Sequence, residues 1–345
     1  MTKVCDIQIR SFVLGGNHGQ YLQAAGLAKA VKEAAPHTEV THARYNNHLL
    51  DELKVQTQSL HLPKYLAMRR HWQRQIAFSP LDHDARARIY GADQIWSFSN
   101  ALFPPNPVFF GKGDTAHKIA YAPSMGHVTE GFIFPDWASD ALAGFQAIAA
   151  RDAATAAAVE RSLGVRPPIV VDPAFFLINR EESFPERREE IAIYSPNSRY
   201  IMQRLLGARN DLTGRWSVQL YGYLPKRQMY SQFGNQLVMP EALVSRIAQA
   251  RILITSTFHG VIMALMTGTP FIALASSSLV DRLDSPLGQT TFDRFRLMNA
   301  ERFAELGSED INRALDPSDI DRVRISELTA QSRTWLAARV SEALA

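Results

Sequence analysis

Short apolar runs alternate with longer amphipathic stretches along almost the whole chain. Apolar runs suit strands buried in a parallel sheet, and apolar residues at helical spacing predict the helices between them. In the first half the pattern predicts strands at 4–14, 38–43, 88–90, 118–122, 146–150 and 169–171, and helices at 20–35, 49–78, 136–145 and 153–163. In the second half it predicts strands at 191–194, 218–221, 252–254 and 271–274, with helices at 200–206, 241–250 and 317–344 and one that ends at Gly268. This alternation predicts an α/β protein of two doubly wound domains that face each other across a cleft.

A charged stretch at 179–190, with Pro185 inside it, separates the two halves. Polar segments of this kind commonly join domains, and a chain of 345 residues exceeds the usual size of a single core. We therefore expect an N-terminal domain at 1–180, a C-terminal domain at 181–316 and a terminal helical region at 317–345.

The most informative segment is 251–274, RILITSTFHGVIMALMTGTPFIAL. The apolar residues at 252–254 predict a strand, the N-cap residue types at 255–257 predict a helix start, and Gly268 predicts the helix end. His259 then lies in the first turn of the helix, beyond the carboxyl end of a strand, where α/β folds bind ligands. The N–H groups of a helix start favour anions such as phosphate, and an imidazole beside them is a candidate general acid or base. A helix cap or a packed turn is the alternative role for His259.

Two other strand-to-helix junctions carry candidate ligand contacts. The loop GGNHG at 15–19 precedes a helix and can bring backbone N–H groups up to a ligand, although its spacing fits neither the dinucleotide fingerprint nor the phosphate loop. A plain glycine turn is the alternative. Arg151 also follows a strand and precedes a helix, so its guanidinium is a candidate partner for a phosphate or carboxylate. Its alternative role is an ion pair with Asp152 or Glu160.

Polar side chains also follow the predicted strand at 88–90. Asp93, Gln94 and Trp96 form a candidate ligand patch with an aromatic wall, and core packing is the alternative for Trp96.

The helix predicted at 49–78 is rich in positive charge, which it carries on Lys64, Arg69, Arg70, His71 and Arg74. Such a face is a candidate surface for a membrane-linked or anionic acceptor. The pattern favours the simpler interpretation, a solvated helix that packs its apolar side on its own domain.

Composition narrows the class of protein. Hydrophobic residues make up 46% and charged residues 21% of the chain, as in an ordinary soluble enzyme. The net charge of +3 is too small to indicate nucleic acid binding, and the pI of 9.0 is weak support for anionic ligands. Cys5 is the one cysteine, so an internal disulfide is excluded and core packing is its expected role. Residues 1–12 do not read as a signal peptide and no apolar run is long enough to span a membrane, so we expect a cytoplasmic protein.

Several catalytic signatures are missing from the sequence, namely H-E-x-x-H, G-x-S-x-G and paired CxxC. Asp82, His83 and Asp84 are direct neighbours, which rarely share a metal, so we expect a solvated loop there. We expect no metal and no cofactor.

Six fragments, in the right order, resemble motifs of the polysaccharide pyruvyl transferases, and the likeness runs from about Val4 to Leu287. Asn17-His18-Gly19 with Leu22 and Gln23 is similar to the family's Asn-x-Gly-x-x-Leu-Gln. GADQIW at 91–96 is similar to Gly-Ser-Asp-Gln-x-Trp, and YAPSMG at 121–126 to Tyr-Ala-x-Ser-x-Gly. Arg151-Asp152, Asp172-Pro173 and Phe258-His259-Gly260 with Pro270-Phe271 match the remaining signatures.

The resemblance implies two Rossmann-like domains arranged as in GT-B glycosyltransferases. It implies phosphoenolpyruvate as donor and co-substrate, and a sugar diol as acceptor, with a pyruvate ketal formed and phosphate released. Members usually serve exopolysaccharide biosynthesis and act on cell-surface polysaccharide precursors, often lipid-linked, so the resemblance implies a cytoplasmic enzyme that works at the inner face of the membrane.

The resemblance also assigns roles to residues of this chain. His259 would be the general acid or base, protonating the enol carbon or relaying the proton of an attacking hydroxyl. The donor-binding residues would be Arg151, Ser256, Thr257, Gly260 and Arg282, and the acceptor-binding residues Asn17, Gly19, Asp93 and Gln94. Thr257 departs from the many members that carry arginine there, and we expect Lys226, Arg227 or Arg282 to supply the missing cation.

Two alternatives stay open at this point. The first is a GT-B glycosyltransferase with a nucleotide-activated sugar as donor, for which residues near Tyr221 and Tyr223 would form the base and ribose pocket. The second is a non-catalytic glycan-binding relative that lost the donor site. This alternative stays open because Thr257 stands where many members carry arginine.

Overall fold

The structure, a computed structural model, describes residues 5–44, 62–99, 104–127, 129–178, 186–207, 216–222, 234–236, 238–283 and 291–345. Within these residues the strands form two sheets of six strands, one in each half of the chain, and every strand pair is parallel. The predicted α/β architecture of two doubly wound domains is confirmed. The exact domain boundaries stay a prediction, and residues 179–185 of the expected linker lie outside the described residues.

The first sheet has the order β3-β2-β1-β4-β5-β6. Its strands are β1 (Cys5–Arg10), β2 (Val40–Arg44), β3 (Phe78–Pro80), β4 (Ala85–Tyr90), β5 (His117–Tyr121) and β6 (Ala147–Ala149). The helices of this half are α1 (His18–Ala34), α2 (Leu62–Gln75), α3 (Asp136–Ala143) and α4 (Ala153–Leu163), and short 3-10 helices cover Pro107–Phe110 and Pro173–Leu177. Ile7, Ile89 and Ile119 on the central strands are fully buried, which explains the apolar runs of the sequence.

The second sheet has the order β12-β11-β10-β7-β8-β9. Its strands are β7 (Glu190–Tyr194), β8 (Ser217–Tyr221), β9 (Gly234–Gln236), β10 (Ile252–Thr255), β11 (Phe271–Leu274) and β12 (Leu297–Met298). The helices described in this half are α5 (Ser198–Gly207), α6 (Pro240–Gln249), α7 (Phe258–Thr267), α8 (Ser277–Leu283), α9 (Ala300–Ala304), α10 (Ser308–Leu315) and α11 (Arg322–Leu344), and a 3-10 turn covers Arg294–Arg296.

Both sheets share one winding scheme. In each, the first strand lies between the second and the fourth, so the winding reverses between β1 and β4 and again between β7 and β10. Ligands of open α/β sheets bind at the carboxyl ends of the strands at such points. The loop after β1 and the loop after β10, which the sequence singles out, therefore lie at the two expected binding positions.

The structure differs from the prediction in the ends of some elements and in whether some short strands form. The predicted strand at 169–171 is only an isolated bridge between Ala150 and Ile169. The described part of the helix predicted at 49–78 ends at Gln75, because Phe78 pairs with His42 as the start of β3. The three-residue strands β3 and β9 and the two-residue β12 were not predicted, since runs this short show no periodicity.

Contacts between the halves join α1 to α6 and to Val238, which lies just before α6. Tyr21 Oη donates a hydrogen bond of 2.6 Å to Glu241 Oε1, and His18 Nε2 donates one of 2.8 Å to the Val238 carbonyl. Helix α11 follows the second sheet in sequence but packs on the first half, where Ser332 Oγ accepts a hydrogen bond from the Val171 N–H at 3.0 Å. None of the helices among the described residues has the length and apolar character needed to cross a membrane.

Candidate active site

His259 lies in the first turn of α7, directly beyond the carboxyl end of β10. Thr257 is the N-cap, and its Oγ1 accepts a hydrogen bond of 3.0 Å from the Gly260 N–H. Gly260 leaves no room for a side chain, because a Cβ there would lie 2.0 Å from Thr255 Oγ1. Gly268 ends the helix with φ of 62°, a conformation that favours glycine. The position predicted for His259 is confirmed.

The imidazole of His259 packs on the backbone of Gly19, in the first turn of α1. A Cβ on Gly19 would lie 2.1 Å from both Cγ and Nδ1 of His259 and 2.7 Å from Cδ2, so Gly19 covers one face of the ring. Asn17 is the N-cap of α1, and its Oδ1 accepts a hydrogen bond of 2.8 Å from the Gly19 N–H. The N-termini of two helices, one from each half, therefore meet at this imidazole.

Asp172 is a fully buried carboxylate beside His259. Its Oδ2 accepts hydrogen bonds from Gln23 Nε2 at 2.5 Å and Arg151 Nη1 at 3.4 Å, and lies 3.7 Å from His259 Nε2. Its Oδ1 accepts a hydrogen bond of 3.0 Å from the Ala174 N–H. Arg151 thus pairs with Asp172, where the sequence suggested Asp152 or Glu160 as its ion-pair partner. Asp152 instead caps α4, where it accepts a hydrogen bond from the Thr155 N–H.

Two guanidinium groups contact the ring of Phe258, the residue before His259. The Cζ atom of Arg151 lies 4.8 Å from the ring centroid, and that of Arg282 lies 5.1 Å from it. Arg282 comes from α8 and is further held by a hydrogen bond of 3.1 Å from its Nε to the Ser278 carbonyl. Phe258 thus brings together one cation from each half of the chain.

Asp93 and Gln94 follow β4, on the opposite side of the first switch point from Gly19. Asp93 has φ of 78°, and its Oδ1 accepts a hydrogen bond of 2.8 Å from the Gln94 N–H. The carboxylate of Asp93 is close enough to favour the charged forms of both His259 and Arg282. The side chain of Gln94 packs against Gly126, where a Cβ would lie 2.7 Å from its Oε1.

Burial dominates the protonation states at the site. Burial lowers the pKa of His259 to about 3; the Asp93 carboxylate opposes this shift, and the guanidiniums of Arg151 and Arg282 add to it. Burial also raises the pKa of Asp172, against the opposing effect of Arg151. The pKa of Arg282 is lowered to about 10, first by burial and then by Arg151. His259 is therefore a neutral imidazole at physiological pH, the form that can accept a proton.

Arg151 and Arg282 provide the positive charge at the site, and the carboxylates of Asp93, Asp152 and Asp172 lie around them. Among the residues the structure describes, no group of three His, Cys, Asp or Glu side chains is arranged to hold a metal ion. Guanidinium groups and helix N–H groups, both present at this site, bind anions through hydrogen bonds.

Five of the ten predicted site residues lie close together in the structure. His259, Arg151, Arg282, Gly19 and Asp93 surround one point between the halves.

Four further predicted site residues hold the local structure around this point. Asn17 and Thr257 cap helices, Gly260 permits close packing, and Ser256 Oγ lies 2.5 Å from the buried Ser195 Oγ. Whether these residues contact donor or acceptor stays a prediction.

Trp96 is a core residue, as its alternative interpretation stated, with Nε1 donating to the Phe109 carbonyl at 2.9 Å. Lys226, Arg227 and Tyr223, and the Lys64 side chain, lie outside the described residues. In the described part of the basic helix, Tyr65, Met68 and Trp72 pack into the core of their own domain and Arg70 is exposed. A role of the basic face in binding an acceptor stays a prediction.

Sequence reasoning gave no site role to Gln23, Asp172 or Phe258. All three lie within motifs noted in the sequence, and those motifs are the signal that could have identified them. Their roles were not predicted because the residues they contact are distant along the chain. A groove of about 560 Å³ beside α1 and β2, lined in part by Lys29, Lys32 and His42, contains none of the predicted site residues.

The sequence model of the polysaccharide pyruvyl transferase family matches residues 17–278, most of the chain and all six motifs. The chain belongs to the polysaccharide pyruvyl transferase family. No curated protein sequence matches it. Among solved structures, MnaA of S. aureus with UDP has 10% sequence identity and a TM-score of 0.53, with 96% of this chain and 97% of that chain covered.

The glycosyltransferase SnogD of Streptomyces nogalater has 12% identity and a TM-score of 0.47, with 99% and 98% covered. The likeness to MnaA, together with the two parallel sheets, gives this pyruvyl transferase family member a fold of two Rossmann-like domains in a GT-B-like arrangement. At such low identities the likeness concerns the fold alone.

Proposed function

We propose that this protein transfers the enolpyruvyl group of phosphoenolpyruvate to a sugar diol of a cell-surface polysaccharide or its precursor, forming a pyruvate ketal and releasing phosphate. The observation that carries the proposal is the meeting of His259 with Arg151 and Arg282 at the N-terminus of α7. Family membership supports the same reaction. The acceptor is expected to be lipid-linked and the enzyme to work on the cytoplasmic side of the membrane.

The donor carries a phosphate and a carboxylate, and the site offers matching groups. Guanidinium groups bind both kinds of anion through paired N–H donors, and the helix start adds a favourable dipole. Arg151 and Arg282 are assigned to the two anionic groups of the donor, with Ser256 and the start of α7 beside them. Arg282 takes the place of the arginine that many members carry where this chain has Thr257.

The chemistry needs proton transfer and no redox step. The first acceptor hydroxyl adds to C2 of the enolpyruvyl group, its proton is lost to a base, and a proton is added at C3, which becomes a methyl group. The second hydroxyl then displaces phosphate from C2, and its proton leaves with the phosphate. His259 starts neutral, so it accepts the hydroxyl proton, and the imidazolium formed is the acid for C3.

The acceptor side is assigned to the first domain. Asp93 faces His259 and Arg282 and carries an oxygen acceptor that suits a sugar hydroxyl. Asn17 and Gln94 lie on the loops that follow β1 and β4 on either side of it. Gly19 contributes through the space that its missing side chain leaves for His259.

Thermal unfolding with and without phosphoenolpyruvate tests the donor. A ligand that binds only the folded protein stabilises it by about 2.7 kcal/mol at roughly a hundredfold excess over its Kd. We expect a saturable shift in wild type and in Arg70→Gln, an exposed arginine on α2, and a strongly reduced shift in Arg282→Gln. A shift with nucleotide sugars and none with phosphoenolpyruvate would contradict the proposal and favour a glycosyltransferase.

A further inference from the structure

The nitrogen of His259 that faces the first domain lies in an unusual position. His259 Nε2 is buried and has no hydrogen-bond partner among the described residues. The nearest carboxylate oxygen is Asp172 Oδ2, 3.7 Å away. A buried polar atom without a partner is costly and uncommon, so this arrangement calls for a physical explanation.

Asp172 is held in place from several sides. Gln23 Nε2 and Arg151 Nη1 both donate to Oδ2, and the Ala174 N–H donates to Oδ1. The side chain of Asp172 has no solvent exposure, and that of His259 has 12%. A carboxylate fixed in this way cannot swing toward another partner, and it faces the imidazole.

Helix α1 sets the positions of both partners. Gly19 covers the face of the His259 ring, and Gln23, one turn later, bonds to Asp172. Gly26 lets the helix approach the turn that carries Asp172, since a Cβ there would lie 2.0 Å from the Pro173 carbonyl oxygen. One face of one helix therefore fixes the separation of the carboxylate from the imidazole.

We propose that Asp172 is a positioning residue for His259: it accepts a hydrogen bond from Nε2–H, which leaves Nδ1 as the nitrogen that exchanges a proton with substrate. This inference rests on the proposed function for the role of His259 as base. The distance of 3.7 Å shortens when the donor is bound, since catalytic hydrogen bonds are often long in ligand-free enzymes. Asp172 does not take the proton itself; its charge stabilises the imidazolium.

The other charged groups around His259 do not replace Asp172 in this role. Asp93 acts on the imidazole from the loop after β4, Arg151 from the loop after β6 and Arg282 from α8. The two guanidiniums repel an imidazolium, and they are the groups assigned to the donor. Asp172 is the carboxylate with an oxygen within 4.0 Å of Nε2 among the described residues.

The tautomer of His259 in the ligand-free chain of 345 residues tests the inference without any need for activity. Two-bond ¹⁵N–¹H correlation spectra of histidine-labelled protein at neutral pH distinguish the two neutral tautomers, and His259→Gln identifies the signal. We expect the Nε2–H tautomer in wild type. A wild-type protein with the Nδ1–H tautomer would overturn the inference, whatever the donor proves to be.

Asp172→Asn sharpens the test, because an amide at this position can donate to Nε2. We expect the Nδ1–H tautomer to increase, and turnover of phosphoenolpyruvate to fall at least about a hundredfold with little change in the KM for phosphoenolpyruvate. Asp152→Asn, a change to the neighbouring buried carboxylate that caps α4, should leave the tautomer unaltered. An unaltered tautomer in Asp172→Asn contradicts the inference. If Asp172→Asn does not fold, the tautomer of the wild-type protein decides the test alone. A wild-type protein that does not bind phosphoenolpyruvate would contradict the proposed function but not this inference.

Discussion

Gly19 and His259 are in direct contact, although they come from the two halves of the chain. The missing side chain of Gly19 makes room for the imidazole, because a Cβ there would lie 2.1 Å from His259 Cγ. The position of the candidate base is therefore set by how the two domains meet. A residue of the first domain controls the geometry of chemistry assigned to the second.

Gly19→Ala should impair activity strongly. The added methyl group cannot fit against the ring, so His259 must move, and a displacement near 1 Å can cost on the order of a hundredfold in rate. Stability should change little in comparison, since alanine favours the helix over glycine by about 1 kcal/mol and offsets part of the strain. Steady-state phosphate release together with denaturant unfolding measures both effects.

Gly16→Ala is the matched control for this change. A Cβ at Gly16 would lie 3.5 Å from the nearest atom, a Tyr65 ring carbon, which is an ordinary contact. We expect near-wild-type activity for this variant. Equal activities of Gly19→Ala and wild type would show that the contact does not position the base.

The local structure around His259 was predictable from sequence, because each signal is local. N-cap residue types, the glycine at the helix end and the apolar runs on either side specify strand, helix and strand over a short segment. The apolar stretches of the sequence located α1 and α11 in the same way. Strands of two or three residues carry no such signal, and β3 is recognised only from its pairing with β2 in the fold.

The relationships within the site were not predictable in this way. Gln23 and Asp172 were noted only as parts of motifs, since their hydrogen bond depends on how α1 packs against the turn at Asp172. The pairing of Arg151 with Asp172, in place of Asp152 or Glu160, has the same cause. Contacts of this kind depend on the tertiary fold, and single-sequence reasoning finds the residues but not their partners.

Stability should fall between pH 7 and pH 5 in a way that depends on His42, which is buried, and on His259, whose side chain is 12% exposed. The pKa is lowered to about 3 for His259 and about 4 for His42, in both cases mainly by burial. In the unfolded chain these two histidines take up protons below about pH 6.5, and in the folded chain they stay neutral. The stability that they contribute above pH 6.5 is therefore lost as the pH falls. Each histidine should account for about 2 kcal/mol of the loss at pH 5.

Urea unfolding of wild type, His259→Gln and His42→Gln at pH 7 and pH 5 measures these contributions. Each variant should lose about 2 kcal/mol less than wild type over this interval. Asp172 changes stability in the opposite direction as the pH falls, because burial raises its pKa and its protonation favours the folded state. Each variant is therefore compared with wild type at the same pH, so that the contribution of Asp172 cancels. Identical losses in all three proteins would show that the histidines titrate normally.

Arg151 and Asp172 form a buried pair, with side chains that are 2% and 0% exposed. Arg151→Met should cost about 3–5 kcal/mol of unfolding free energy, because it leaves the Asp172 carboxylate buried without its cation. Adding Asp172→Asn should recover much of that loss. A double-mutant cycle in denaturant measures the coupling, and purely additive effects would contradict a direct pair.

Donor binding should raise the pKa of His259. Phosphate and carboxylate groups placed on Arg151 and Arg282 neutralise the two guanidiniums that now lower that pKa. The imidazole should take up a proton at a higher pH with phosphoenolpyruvate than without it, as ¹⁵N shifts of labelled histidine followed through a pH titration would report. The buried His42 serves as internal control, since it contacts the Ala24 carbonyl away from the site and should not respond.

Turnover tests the central claim most directly. Phosphoenolpyruvate labelled with ¹³C at C2 is incubated with the enzyme and a panel of lipid-linked and free sugar diols, and phosphate release and the labelled carbon are followed by NMR. We predict phosphate release that requires an acceptor, with the label recovered in an acid-labile ketal, in wild type but not in His259→Gln. Transfer of sugar from a nucleotide donor to the same acceptors, with phosphoenolpyruvate unchanged, would contradict the account.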